Sequence, residues 1–313
     1  LILEYGADKR GDIQYLCQIA QPYIAVVTSV GVAHAEFFGT IDDVKEEKGT
    51  LVRGLTPDGI AILNGDDELV SDMRQLAKGA VVTYGLSGAD VTAKDISVDM
   101  RHDGEIEVGE VVARLQFTLK VGADEAVILM KNIIGDVHVR SVLAGAAVAL
   151  QLGLSPSTIA KNLNTYIPMP GRLSLLPGIK RSLLIDDTYN SSPKAVHAAL
   201  EVLSSIPIPA TAQRIAALGD MLELGRYSEK AHVDVGGHVA SLPIDLLVTV
   251  GEHARDIARG ALNAGMAQTH VYTYANSVDA GRIIQERLKI GDAVLCKGSQ
   301  CSRMAWIVEA ILA

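Results

Sequence analysis

Near the start of the chain three side chains combine the groups that metal and phosphate chemistry requires: the carboxylate of Glu4, the imidazole of His34 and the ammonium of Lys48. Glu4 closes the strand-like run Leu1-Ile2-Leu3 and is followed by Gly6, while His34 lies in the loop beyond a second apolar run, Ile24–Thr28. A carboxylate and an imidazole at neighbouring strand ends can share a divalent ion. Mg²⁺ prefers oxygen ligands and keeps several waters, so such a pair is a thin site that nucleotide phosphates would have to complete. The competing reading is that Glu4 caps a helix and His34 bonds its own loop. Lys48 falls in the middle of an apolar helix face, among Ile41, Val44, Leu51, Val52 and Leu55 at steps of three and four. An ammonium there is costly unless it is paired, modified or reaches solvent. Snorkelling or a structural ion pair would satisfy it. So would conversion to a carbamate, which reverses the charge and can hold a second cation. The neighbouring Lys45, Glu46 and Glu47 read as a solvated face.

Further polar groups follow later strands. Asp186-Asp187-Thr188-Tyr189-Asn190-Ser191-Ser192-Pro193 ends a strand and opens a helix; Pro193 suits the first turn, with Ser192 or Asn190 as cap. One of the two adjacent acids could accept bonds from a ribose hydroxyl, and a helix N-terminus favours anions. Lys297-Gly298-Ser299 also follows a strand, with Arg303 in the first turn of the next helix, an arrangement that suits either a carboxylate or phosphate or a plain loop–helix junction. Arg172 follows a break and could meet a phosphate or be a surface linker residue.

The elements that must hold these groups alternate. Strands are expected at Leu1–Leu3, Ile24–Thr28, Ile60–Leu63 and Val81–Tyr84, and helices at Asp12–Ala20, Ile41–Leu55, Glu68–Ala77, Val137–Leu152 and Pro156–Tyr166, with an antiparallel strand group over 91–130. Ile167-Pro168-Met169-Pro170-Gly171 is a strong break, which sets domains at 1–168 and 169–313. Beyond it strand and helix repeat regularly, as a parallel, doubly wound sheet requires, and ligands of such sheets sit at the carboxyl ends of strands.

Composition bounds the rest. Of 313 residues 49% are hydrophobic, 21% charged and 4% aromatic, so the core is built of Val, Ile, Leu and Ala, as in buried parallel strands. A net charge of −9 speaks against a nucleic-acid surface. Three cysteines with no CxxC pair argue against a disulfide framework and place the protein in a reducing cytoplasm. No run is long enough to span a membrane. The first residue is Leu and the chain opens in a strand-like run, from which the expectation is that a longer protein precedes it.

Taken together, Leu3-Glu4-Tyr5-Gly6-Ala7, the run Gly31–Gly39 containing His34, Glu47-Lys48-Gly49, Leu63–Asp67, Pro170-Gly171-Arg172, Ile185–Pro193, Leu218–Gly225 and Val294–Ser299 resemble the Mur ligase family, most closely its D-alanyl-D-alanine-adding branch; the run Leu218-Gly219-Asp220-Met221-Leu222-Glu223-Leu224-Gly225 is the most particular. The resemblance implies an α/β fold: part of a P-loop-type Mur ligase central domain, then a Rossmann-like C-terminal domain. It implies amide bond formation with ATP and Mg²⁺ as cofactors, through an acyl phosphate, joining D-Ala-D-Ala to UDP-MurNAc-tripeptide, by a cytoplasmic monomer. Glu4, His34 and a carbamylated Lys48 would bind Mg²⁺, with Lys48 and His34 as catalytic groups. Asp187 would hold the ribose, Arg172 would approach the γ-phosphate, His138 would lie near the adenine, and Asn190 and Arg303 would assist. Two departures stand against this. The GxxGK[ST] phosphate loop and the family's domain for the nucleotide-sugar end of the substrate are both expected to be missing from the chain, so as it stands it should bind ATP poorly and be inactive; smaller departures follow. Gly135-Asp136-Val137-His138-Val139 replaces the family's His-Asn pair, and Thr50 stands where many relatives carry Glu. The alternatives are a folylpolyglutamate synthetase-like or other Mur ligase, and a non-catalytic binding protein that lost its phosphate loop.

Overall fold

A computed structural model describes residues 1–31, 35–100 and 113–312, and the chain divides into two compact units. The α/β expectation holds in both. In the first unit the strands β1 (Ile24–Val27), β2 (Ile60–Asn64), β3 (Ala80–Gly85), β4 (Val91–Met100), β5 (Ala113–Val121) and β6 (Asp124–Lys131) lie in one sheet in chain order. β1 to β3 are parallel. Two residues join β5 to β6, which makes that pair a hairpin. The helices are α1 (Asp12–Ile19), α2 (Ala35–Phe38), α3 (Ile41–Arg53), α4 (Glu68–Ser71), α5 (Asp136–Gln151) and α6 (Pro156–Leu163). Side chains alternate along a strand. Ala61 and Leu63 of β2 therefore join Val44 and Val52 of α3 in one cluster, while Ile62 turns to the opposite face, and α5 packs against β2 and β3. α3 begins where Thr40 and Asp43 form a capping box, each side chain accepting the other's backbone N–H.

The second unit takes everything from Ile167 onward, with Lys131–Gly135 and the ends of β4 and β5. A bridge from Ile133 to Ser174 ties the Lys131–Gly135 segment in. Its strands are β7 (Ser174–Gly178), β8 (Ser182–Asp187), β9 (Arg214–Gly219), β10 (Leu246–Val250), β11 (Val271–Tyr274) and β12 (Ala293–Lys297), in the order β11-β10-β9-β12-β8-β7. The intervening helices are α7 (Pro193–Ser205), α8 (Ser228–Ser241), α9 (Ala254–Asn263), α10 (Ser277–Arg287) and α11 (Ala305–Ile311). The chain winds outward from β8 and β9 and returns to insert β12 between them, pairing Lys297 with Asp187 on one side and Leu218 on the other. That insertion makes the carboxyl ends of β8, β9 and β12 neighbours. Among the described residues no helix is long and apolar enough to cross a membrane.

Several local expectations fail for identifiable reasons. Leu1–Leu3 forms no strand and is exposed, and among the described residues no strand pairs with it. The helix expected over Glu68–Ala77 tightens after Ser71 into a 3₁₀ turn, Asp72–Leu76. β7, a strand the periodicity did not mark, pairs antiparallel with β8 at the sheet edge, where its Pro177 is tolerated. Arg303 does not open the last helix: it takes a left-handed conformation (φ 50°) between the 3₁₀ turn Gln300–Ser302 and α11.

Glu47 is the largest departure. It is buried, and its two carboxylate oxygens accept the backbone N–H groups of Gly11 and Ile13 at 2.8 Å each, so that α3 caps the N-terminus of α1. Replacing Glu47 with Ala leaves the buried Ile13 N–H unpaired and the half-buried Gly11 N–H without its protein acceptor. The expected loss is about 1.5–3 kcal/mol, read as a lower midpoint in urea denaturation, with Glu47→Gln, which keeps one acceptor, losing less. A midpoint unmoved in Glu47→Ala overturns the capping role.

Candidate functional site

In the first unit the polar residues gather where β1 ends. Lys48 Nζ donates to the Ser29 carbonyl at 2.8 Å, and Asn64 Nδ2 to the Thr28 carbonyl at 2.8 Å. Asp67, at the N-cap of α4, accepts Val30 N–H and Val70 N–H at 3.3 Å each. Side chains from α3 and from the turn after β2 thus hold the backbone of Thr28–Val30. Burial pushes the Lys48 amine below its ordinary value, and the Asp67 carboxylate pulls it part of the way back. His34 lies outside the described residues. Glu4 is exposed, in irregular backbone. Among the described residues no group of three or more His, Cys, Asp or Glu side chains is arranged to hold a metal ion. His138, on α5, is buried and lines a cavity of ≈ 380 Å³ with Met130, Ser141, Val142, Asn162 and Tyr166.

The second unit brings Arg172, Asp187 and Asn190 together around Lys297, which the sequence offers as part of a turn suited to a carboxylate or phosphate. Its side chain is 2% exposed, its Nζ lies 2.7 Å from Asp187 Oδ2, and it donates to the Asn190 carbonyl at 2.9 Å. Asp187 Oδ1 accepts Leu173 N–H at 3.2 Å. Burial pushes the Lys297 amine down, Asp187 holds it up, and the nearby Arg172 guanidinium adds to the lowering. Arg172 itself stacks on the Tyr189 ring at 4.0 Å. Asp186 is committed to its loop, accepting from Gly171 N–H, Thr188 N–H and the Thr188 hydroxyl. An ionised carboxylate offers about four lone-pair positions, so Asp187, with two taken, retains acceptor capacity for a hydroxyl. The sequence expected Ser192 or Asn190 to cap α7. Ser192 makes no side-chain cap bond, and Asn190 Oδ1 accepts its neighbour Ser191 N–H instead. Arg303 stacks on Trp306 at 5.0 Å. The signal for Lys297 was present in the sequence: a lone cation ends the apolar run of β12, where burial compels a counter-charge.

Residues 1–149 match the family model of the Mur ligase middle domain, and residues 171–300 that of the Mur ligase, glutamate ligase domain. Among curated relatives, the UDP-N-acetylmuramoyl-tripeptide–D-alanyl-D-alanine ligase of Escherichia coli K12 is 28% identical over 99% of this chain and 64% of its own length. That of Mycobacterium tuberculosis H37Rv is 30% identical over 100% of this chain and 62% of its own. The chain therefore spans less than two thirds of these relatives. Of solved structures, MurF from Acinetobacter baumannii superposes with a TM-score of 0.82 at 28% identity, covering 97% of this chain and 62% of that one. MurF ligase from Thermotoga maritima in complex with ADP gives 0.82 at 25% identity, covering 99% and 66%.

The buried ion pair makes a sharp expectation. Lys297→Met leaves Asp187 charged and unpaired in the interior, at an expected cost of about 3–5 kcal/mol. Adding Asp187→Asn to Lys297→Met removes the orphan charge and restores much of the loss. Chemical denaturation of the two variants reads the difference, and a Lys297→Met protein as stable as the parent sinks the pairing.

Proposed function

This chain belongs to the Mur ligase family, and on that premise we propose that it serves ATP-dependent amide bond formation, joining D-alanyl-D-alanine to UDP-MurNAc-tripeptide. The reading is supported most by the buried Lys297–Asp187 pair at the carboxyl ends of β12 and β8, with Asn190 and Arg172 beside it. Ligands of doubly wound sheets are taken at such strand ends, and a charge pair of this burial is more than a fold needs for its stability.

In the proposed reaction a carboxylate oxygen of the tripeptide attacks the γ-phosphorus of ATP, giving an acyl phosphate and ADP. The amine of D-Ala-D-Ala then attacks the acyl carbon. The bond to phosphate breaks, inorganic phosphate leaves, and the amine's surplus protons pass to a base or to solvent. Asp187 would accept the ribose hydroxyls, Arg172 would meet a phosphate, His138 would lie on the adenine side, and Asn190 and Arg303 would assist. Mg²⁺ would be held by Glu4 and His34, and by Lys48 after carbamylation; when bound it offsets charge on the phosphoryl oxygens. The lowered Lys48 amine fits this part of the scheme, since only the neutral amine takes up CO₂. Exposed Glu4 fits it less well and would depend on phosphate oxygens to complete a ligand set. The unpaired state of all three cysteines suits a cytoplasmic setting, in which we place the protein as a monomer.

The test uses the protein encoded by the intact gene. Phosphate release should require ATP, UDP-MurNAc-tripeptide and D-Ala-D-Ala together. Lys48→Ala should lower the rate by at least about tenfold, and removal of bicarbonate should lower the parent but not the variant. Activity that survives Lys48→Ala untouched overturns the role of Lys48, and phosphate release that ignores D-Ala-D-Ala overturns the substrate.

A further inference from the structure

His232 is fully buried on α8, and both of its ring nitrogens are engaged. Nε2 accepts the backbone N–H of Met221 at 3.0 Å, and Nδ1 lies 2.7 Å from the carbonyl of Ser228. A backbone N–H can only donate and a carbonyl can only accept, so the geometry fixes the tautomer: neutral, with the proton on Nδ1. A second proton on Nε2 would face the Met221 N–H and break that bond. The ring cannot easily move aside. α8 and α9 meet backbone to backbone at two glycines, where a Cβ on Gly236 would lie 2.0 Å from the Ile257 carbonyl oxygen and one on Gly260 2.1 Å from that of Val233.

Met221 belongs to the loop that follows β9, and this loop grips the turn after β12. Leu222 N–H donates to Ser299 Oγ at 3.0 Å, and Ser299 N–H to the Asp220 carbonyl at 2.9 Å. Asp220 Oδ1 in turn accepts Ala254 N–H at 2.7 Å, tying the loop to the start of α9. Ser299 is buried and stands two residues beyond Lys297. Because its oxygen accepts from Leu222, the hydroxyl is left to act as a donor.

We infer that His232 is a positioning residue: its neutral imidazole holds the Asp220–Leu222 loop in place and, through that loop, sets the Ser299 hydroxyl as a hydrogen-bond donor on the same strand-end turn as Lys297. Its role in turnover rests on the ligase reading above. The clamp acts on the turn after β12, beside the Lys297–Asp187 pair, so its effect falls on binding at that strand end.

The clamp carries a pH sign. The groups facing the ring are Asp220 from the loop and His253 and Asp256 from α9, the His253 ring at 5.7 Å. Burial pushes the His232 imidazole below the usual histidine value, with the Ser228 carbonyl and Asp220 opposing it. The closed loop therefore binds fewer protons than the open one. Its stability is complete above the ordinary histidine pKa and is lost as pH falls below it, toward the lowered native value.

Amide hydrogen exchange at Met221, corrected for intrinsic rates, tests this directly. In the parent protein, protection should fall about tenfold per pH unit below ~6.5. His232→Gln, which keeps an acceptor near the Nε2 position but does not titrate, should retain protection without that slope, and His232→Leu should lose protection at every pH. In the ligase assay, His232→Leu should raise the KM of a substrate about tenfold with kcat little changed, and His232→Gln should restore it. Nitrogen NMR should find the Nδ1–H tautomer at neutral pH. Protection that is flat with pH in the parent, or intact in His232→Leu, overturns the clamp. Unchanged KM values for all three substrates in an active His232→Leu enzyme overturn the positioning role. A parent protein without ligase activity that nonetheless shows the exchange slope sinks the functional reading and leaves the clamp standing.

Discussion

The second unit is organised by one costly placement, an ammonium at the end of an inserted central strand. Taking Lys297 out of water carries a desolvation penalty of several kcal/mol, which only close, well-directed partners offset. Asp187 at 2.7 Å and the Asn190 carbonyl at 2.9 Å supply them. The consequences spread outward. Asp187 must hold one orientation, so it also receives Leu173 N–H at the entry to β7, while its neighbour Asp186 receives Gly171 N–H. The segment leading into β7, the loop after β8 and the end of β12 are thus fixed by a single charge pair. A reaction site gains from such an arrangement because its dipoles are already oriented when a ligand arrives.

The first unit places the same residue type in a different setting. Lys48 is also partly withdrawn from water, but its nearest partner is a carbonyl, that of Ser29, and the Asp67 carboxylate is occupied with Val30 and Val70 N–H groups. Burial lowers both amines and a carboxylate opposes it in each; Asp187 touches Lys297, whereas the acceptor bonded to Lys48 among the described residues is the Ser29 carbonyl. Environment therefore divides two lysines into one held in a buried ion pair and one bonded to a neutral carbonyl. Sequence spacing could find Lys48 as an anomaly on an apolar face, but the direction of its shift depends on which backbone atoms fold back toward it.

Much of the architecture was legible because it follows from local rules. The strand–helix alternation after Ile167 located β8 to β12 along the chain, and the apolar face of Ile41–Leu55 located α3. The polar groups that follow β8 and β12 were found for the same reason: an apolar strand ends, and chemistry follows. What escaped is non-local. Glu47 looked solvated because three charged residues surround it, yet it reaches the free N–H groups of α1, more than thirty residues away in sequence. β7 escaped because its identity comes from pairing with β8 rather than from its own pattern, and the Leu1–Leu3 run was misread for the converse reason, a strand-like composition without a partner. Arg303 was placed in a helix because the left-handed conformation that excludes it is not written in its side chain.

The run Leu218–Gly225, the most particular part of the family resemblance, shows how a motif can be informative without its reason being readable. Taken as letters it suggests a binding loop. In the fold its members are mostly spoken for by other parts of the protein. Leu218, Met221 and Leu224 are buried, Asp220 caps α9, the N–H of Met221 goes to His232, and that of Leu222 to Ser299. Even Gly219 serves proximity, since a Cβ there would meet Met304 at 3.0 Å. Such a loop works by being immobile. The Leu222 N–H and the Asp220 carbonyl hold the turn after β12 against the end of β9, and that turn follows directly on the buried lysine to which the rest of the strand-end chemistry is referred. The sequence is constrained at these positions by a closed set of hydrogen bonds, each of which would leave a buried donor unpaired if its partner changed.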